Sequence, residues 1–155
     1  MDIIDHNSKE EVEKRANQED PIVMYLIVRE SLEMSVGKTA AQCAHAAQMI
    51  MLNYYNYKEE VEGCENCGWE VKYDYGFEAN SYKTMQDWLQ GSFRKVVLVA
   101  NEKEWEKVLA ENISKIVVKD AGLTELEPGT DTVIGLYPIR KSERSKIIKR
   151  LQTLK

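Results

Sequence analysis

An uninterrupted apolar run of strand length, Ile22 to Val28, leads within a few residues into a helix-forming segment that opens at Gly37-Lys38. No other feature narrows the choice of fold so far. A short apolar run without polar alternation reads as a buried strand. Arg29 ends it, Glu30 to Val36 make a short loop, and Gly37-Lys38-Thr39-Ala40-Ala41-Gln42-Cys43-Ala44-His45-Ala46-Ala47 begins the helix. Two cations, Arg29 and Lys38, are thereby brought beside a helix N-terminus, where free N–H groups and the macrodipole favour anions. Lys38, Gln42 and His45 follow at helical spacing and share one face. Ala40, Ala44, Ala47 and Met51 form another stripe, small enough for the helix to lie close against a sheet.

The rest of the chain supplies that sheet. Arg94 to Ala100 reads as a second strand, Ile113 to Lys119 as a third ending at Asp120, and Thr132 to Tyr137 as a fourth. Glu102 to Glu111 is a short helix with Trp105, Val108 and Leu109 inward, and Ser142 to Leu154 reads as a closing helix with Ile147, Ile148 and Leu151 apolar. The order predicts a single α/β domain: a mixed, mostly parallel four-stranded sheet flanked by helices. The first two helices supply crossovers for parallel neighbours, and the short third connection suits an antiparallel strand.

Composition agrees with a globular chain, 43% apolar and 30% charged, with no apolar run long enough to span a membrane. Met1 to Asp20 is a polar, acidic arm without a hydrophobic signal core, so a cytoplasmic location is the default expectation. Three cysteines do not suggest a disulfide framework. The net charge of −5 is unevenly spread: Arg140 to Lys155 carry +6, leaving −11 for the remainder. On composition alone the C-terminal run reads as a solvated helix face, with a basic patch for nucleic acid left open.

Arg29, Lys38 and Asp120 are the polar residues expected to converge, because open α/β sheets bind ligands beyond the carboxyl ends of their strands. A structural Lys–Asp ion pair is the competing reading. Thr124, Thr130 and Thr132 surround the Pro128-Gly129 turn, where hydroxyls can hold a water or merely satisfy the backbone. Cys43 and His45 lie about 200° apart around a helix of ~3.6 residues per turn, so they form no dyad. Cys64 and Cys67 make a CxxC, half of the four ligands a zinc site needs. Two reduced thiols are the simpler reading, beside redox use or a site shared between subunits.

Two blocks also resemble a known family. Val28-Arg29 followed by Gly37 to Ala47, and Lys119-Asp120-Ala121-Gly122-Leu123-Thr124 followed by Pro128-Gly129-Thr130-Asp131-Thr132-Val133-Ile134-Gly135, are similar to the archaeal and eukaryotic (type 2) peptidyl-tRNA hydrolases. Trp88 to Val99 looks like that family's stretch entering its second strand. The resemblance implies hydrolysis of the ester joining a peptide to the 3′-terminal ribose of tRNA. It implies tRNA as partner, no metal, no organic cofactor, and compatibility with a homodimer. It points to Lys38, Asp120, Thr124 and Thr132 as catalytic and to Arg29, Gln42 and His45 as substrate-binding. Asp120 would orient or activate water, Lys38 would stabilise negative charge, and Arg29 would position phosphate.

Against this pattern, residues 55–85 read as an insertion in a domain spanning 21–155. Tyr55, Tyr57, Trp69, Tyr73, Tyr75, Phe77 and Tyr82 sit there among acids and glycines. Such a segment can cap a sheet edge, form dimer contacts or touch a ligand, and its aromatics are read as packing. Glu30 to Val36 holds two acids and no cation where the family is commonly basic, and Leu123 stands where a basic or polar residue is common. Both departures lower the expected attraction for tRNA. A non-catalytic binding module on the same fold, or a hydrolase of a different small acyl ester, are the alternative readings.

Overall fold

The computed structural model describes residues 8–62, 79–91 and 93–155. Cys64, Cys67, Trp69, Tyr73, Tyr75 and Phe77 lie outside the described residues, as does His6.

The central strand β1 (Ile22–Arg29) is buried from Ile22 to Val28 because helices cover both faces of the sheet around it. On one face, Met24, Leu26 and Val28 pack with Cys43, Ala46, Ile50 and Tyr54 of a long helix and with Met85 and Trp88 of the next. On the other, Val23, Tyr25 and Ile27 pack with Trp105, Val108, Ile148 and Leu151. The strand's two-residue period therefore serves two cores at once.

In chain order the helices are α1 (Lys9–Ala16), α2 (Val36–Glu62), α3 (Ala79–Gln90), α4 (Glu102–Ala110) and α5 (Lys146–Arg150). The remaining strands are β2 (Lys95–Ala100), β3 (Lys115–Lys119), β4 (Asp131–Leu136), β5 (Ile139–Arg140) and β6 (Gln152–Thr153). Among the described residues the sheet has six strands in the order β3-β4-β1-β2-β6, with β5 pairing with β1. This corrects the expected four-stranded, mostly parallel sheet. Only β1 and β2 are hydrogen-bonded in parallel; β4 runs antiparallel to both β1 and β3, β5 to β1, and β6 to β2. The cause is placement rather than direction. β3 runs the same way as β1 but is laid beyond β4's position, and the chain then turns back so that β4 fills the gap.

The closing helix is also shorter than its apolar pattern suggests. Leu151 leaves helical geometry at ψ 141°, and Gln152 and Thr153 pair with Val99 and Leu98 on the outer edge of β2. Backbone groups exposed on that edge gain partners, which outweighs two more residues of helix.

The face of α2 that meets the sheet differs from the alanine stripe. Ala40 and Ala44 are exposed, whereas Cys43, Ala46, Ile50 and Tyr54 are buried, with Ala47 and Met51 at the margin. Close approach is possible because Gly135 of β4 has no side chain. A Cβ there would stand 3.0 Å from Ile50 Cδ1, 3.2 Å from Ile116 Cδ1 and 3.3 Å from Ala46 Cβ. Farther along, Tyr54 stacks on Tyr82 at 5.5 Å and Tyr57 meets it at 5.3 Å, so these three rings join α2 to α3. No described helix is long and apolar enough to cross a membrane.

Gly135→Val forces three extra carbons into this contact. The expected loss is about 1–3 kcal/mol of unfolding free energy from overpacking, read as a lower midpoint in urea denaturation. An unchanged midpoint would show that α2 can lift away from β4 without cost.

Candidate active site

Asp120 is the residue with which the chain leaves β3, and the loop it begins is tied off at its base. The Asp120 N–H donates to the Thr130 carbonyl at 2.9 Å, and the Gly129 N–H donates to the Asp120 carbonyl at 2.7 Å. Gly122 takes φ +76°, and a Cβ on it would meet the Pro128 ring at 2.5 Å. Its N–H donates to Asp120 Oδ2 at 2.9 Å, which fixes the carboxylate from within its own loop. Thr130, by contrast, spends its hydroxyl on the Glu127 carbonyl at 2.6 Å, a turn contact.

Across from this loop stands the first turn of α2. Lys38 Nζ lies 2.5 Å from Asp120 Oδ1, with the two side chains only 12% and 4% exposed. The same ammonium donates to Thr124 Oγ1 at 2.8 Å. One turn later, Gln42 Nε2 donates to Asp120 Oδ1 at 3.1 Å while Gln42 Oε1 accepts from the Thr132 hydroxyl at 2.6 Å. Gln42 and Thr132 are buried. A chain of hydrogen bonds thus runs from the start of β4 through Gln42 to Asp120, Lys38 and Thr124, and each member restricts the next.

Electrostatics follow from those contacts. The Lys38 ammonium bonded to Asp120 holds its carboxyl below the ordinary 3.8; burial opposes this, and the Gly122 N–H adds to it. Glu125, from the same loop, accepts from the Ser35 N–H at 3.1 Å and from the Ser35 hydroxyl, which lowers its pKa as well. Ser35 Oγ in turn accepts from the Lys38 N–H at 3.3 Å, capping α2. The loop and the helix start are therefore latched together beside Lys38. An open cleft of about 480 Å³ lies over this cluster, walled by Lys38, Gln42, His45, Asp120, Thr124 and Glu125.

Of the residues singled out in the sequence, Lys38, Gln42, His45, Asp120 and Thr124 line the cleft. Thr132 stands behind it and reaches it through Gln42. Arg29 is occupied elsewhere: Nε and Nη2 bond the two Glu102 oxygens at 2.8 and 2.9 Å, and Nη1 donates to the Asp131 carbonyl at 3.3 Å. Its guanidinium also lies 5.5 Å from the centre of the Trp105 ring. The Arg29 guanidinium, together with the Ser31 hydroxyl, pulls the Glu102 carboxyl down to about 2. Cys43 points into the core and His45 is exposed, in keeping with the angle between them. Ser35 sits where a serine locally signals a helix N-cap, but its link to Glu125 had no local signal, because that partner arrives from a loop 90 residues away. Among the described residues no three His, Cys, Asp or Glu side chains converge as metal ligands.

A carboxylate whose folded-state pKa is depressed stabilises the fold above its unfolded pKa and loses that contribution as pH falls through the lowered value. Asp120 is therefore expected to titrate below 3.8 when its side-chain carbon is followed by NMR. Lys38→Met, which removes the cation, should move that midpoint upward. Equal midpoints in the two proteins would mean that the ion pair does not set the charge of Asp120.

Comparison with known proteins adds the following. A family model described as "Peptidyl-tRNA hydrolase PTH2" matches residues 22–154. A peptidyl-tRNA hydrolase of Sulfurisphaera tokodaii is 31% identical over 136 residues, covering 84% of this chain and 97% of the relative. One of Methanopyrus kandleri is 32% identical over 135 residues, covering 84% and 96%. A third, of Saccharolobus islandicus, is 30% identical over 122 residues, covering 76% and 86%.

Proposed function

The chain belongs to the peptidyl-tRNA hydrolase PTH2 family, and from that premise we propose that it hydrolyses the ester between peptide and tRNA in peptidyl-tRNA, freeing the tRNA for reuse. The substrate belongs to translation, so the cytoplasm is its place of work. The observation that carries the reading is the buried Lys38–Asp120 pair opening through Thr124 into an accessible cleft.

Attack of water on the ester carbonyl builds a tetrahedral oxyanion. Collapse then breaks the bond to the ribose, whose oxygen needs a proton. Lys38 suits the first demand. Its ammonium has three N–H donors; one meets Asp120 and one meets Thr124, which leaves one for the oxyanion. Asp120, with its depressed pKa, is a weak base, so its part is to keep Lys38 charged and aimed rather than to strip a proton from water. The Thr124 hydroxyl accepts from Lys38 and retains its own O–H, which suits it to relay a proton: it takes one from the attacking water as it gives its own to the departing ribose oxygen, so no separate base is required.

Gln42 holds Asp120 from behind, and Thr132 sets the Gln42 amide, so Thr132 is a positioning residue in this reading. His45 contributes wall to the cleft, where it contacts the substrate. Arg29 braces the end of β1 against the start of α4 through Glu102 and against the start of β4 through the Asp131 carbonyl; it reaches a phosphate only if the Glu102 pair opens.

The test is release of N-acetyl-amino acid from N-acetyl-aminoacyl-tRNA, with and without EDTA. Lys38→Ala and Asp120→Ala are each expected to lower kcat/KM by about 10²–10⁴-fold. Thr132→Val should lower it by less, and EDTA should leave the wild type unchanged. Folded wild-type protein without turnover would overturn the reading. Full turnover in Lys38→Ala would overturn the site.

A further inference from the structure

Three cations of the C-terminal segment cluster on one short helix. On α5, Lys146, Lys149 and Arg150 follow at spacings of three and four and share one exposed face, while Ile148, with Leu151 just beyond the helix, is buried on the other. On α1 and α3, Lys9 and Lys83 pair with acids one turn away, Glu13 and Asp87, at 3.8 and 3.5 Å. On α5 the partner of Lys146 one turn on is Arg150, a like charge that weakens a helix. None of Lys146, Lys149, Arg150 and the exposed Lys155 has a carboxylate partner among the described residues.

The helix macrodipole does not account for this. It favours cations in a last turn, which fits Lys149 and Arg150, but Lys146 opens α5 at the end that disfavours them. An unneutralised cationic face, in a chain whose remaining residues 1–139 carry −11, suits a polyanion rather than solvent. Its position also fits. The chain runs from α5 into β6 on the edge of β2, and Lys155 lines a cavity of about 460 Å³ together with Arg29, with the acids Glu30 and Glu33, and with Thr39, the neighbour of Lys38 on α2. A cation of the C-terminal segment thus stands beside the acidic loop that leads from β1 into α2.

We propose that Lys146, Lys149, Arg150 and Lys155 form a track for the phosphate backbone of tRNA, supplying the attraction that the acidic Glu30–Val36 loop does not. The identity of the polyanion rests on the peptidyl-tRNA reading. The track acts on binding and leaves the chemical step to the cleft.

The experiment is fluorescence anisotropy with labelled, uncharged tRNA across a salt series, beside turnover of N-acetyl-aminoacyl-tRNA. The proteins are wild type, Lys146→Gln/Lys149→Gln/Arg150→Gln, Lys155→Gln alone, and a matched control, Lys9→Gln/Lys14→Gln/Lys83→Gln. Each lost phosphate contact lowers the log–log salt slope by roughly 0.7–0.9, so the α5 triple variant should lose roughly 2–3. It should bind about tenfold or more weakly at low salt, with KM raised and kcat unchanged. Lys155→Gln, which leaves α5 intact, should lose roughly one phosphate's worth of slope. A triple variant indistinguishable from the control, or wild type without salt-dependent tRNA binding, would overturn the track. Absent turnover with the slope difference intact would instead overturn the hydrolase reading and leave the track standing.

Discussion

A lysine ammonium and an aspartate carboxylate, both nearly withdrawn from water, face each other between the first turn of α2 and the end of β3. Removing two charges from water is costly, and such a pair persists only where further hydrogen bonds satisfy it. Here the additional bonds come from Gln42, from the Gly122 N–H and from Thr124. Each brings a requirement of its own. Gln42 needs Thr132, Gly122 needs a backbone conformation open to glycine, and Thr124 needs the loop latched to α2 by Glu125 and Ser35. The local architecture around the cleft follows from keeping that one pair satisfied.

The sheet order makes this possible. With β4 between β1 and β3, the β3–β4 loop opens at the sheet end where β1 delivers the chain into α2. A purely parallel arrangement would give no short return beside β3, and Thr132 would not stand behind Gln42. Gly135 contributes from lower in β4: its missing side chain lets Ala46 and Ile50 settle against the sheet, which sets the depth at which α2 lies. Core packing and site geometry are in this way two consequences of the same helix position.

Charge is divided between tasks. At the cleft the cation is paired, and its partner's pKa is depressed, so the site stays ionised far below neutrality. Arg29 is likewise committed, to Glu102. The cations of α5 and Lys155, which have no carboxylate partner among the described residues, lie on the outside, where long-range attraction does not disturb the buried pair. A net charge of −5 therefore coexists with a locally basic face.

What was legible in the sequence was local. The apolar run of β1, the helical spacing of Lys38, Gln42 and His45, the inward Trp105 and Val108, and the turn at Pro128-Gly129 each depend on neighbours within a few residues, where periodicity and backbone preference decide. The two motif blocks likewise marked Lys38, Asp120 and Thr124. Contacts between distant residues were not legible. Arg29 meets Glu102 across 73 residues, Thr132 meets Gln42 across 90, and Glu125 meets Ser35 across 90. Nothing local announces which distant group will fill a given hydrogen bond. The same limit applies to the sheet order, to the face of α2 that was buried, and to the early end of α5, because each was decided by a competition among packing partners. Helix and strand periods say that a face will be buried, while only the assembled layers determine which neighbour buries it and which polar groups are then left to meet.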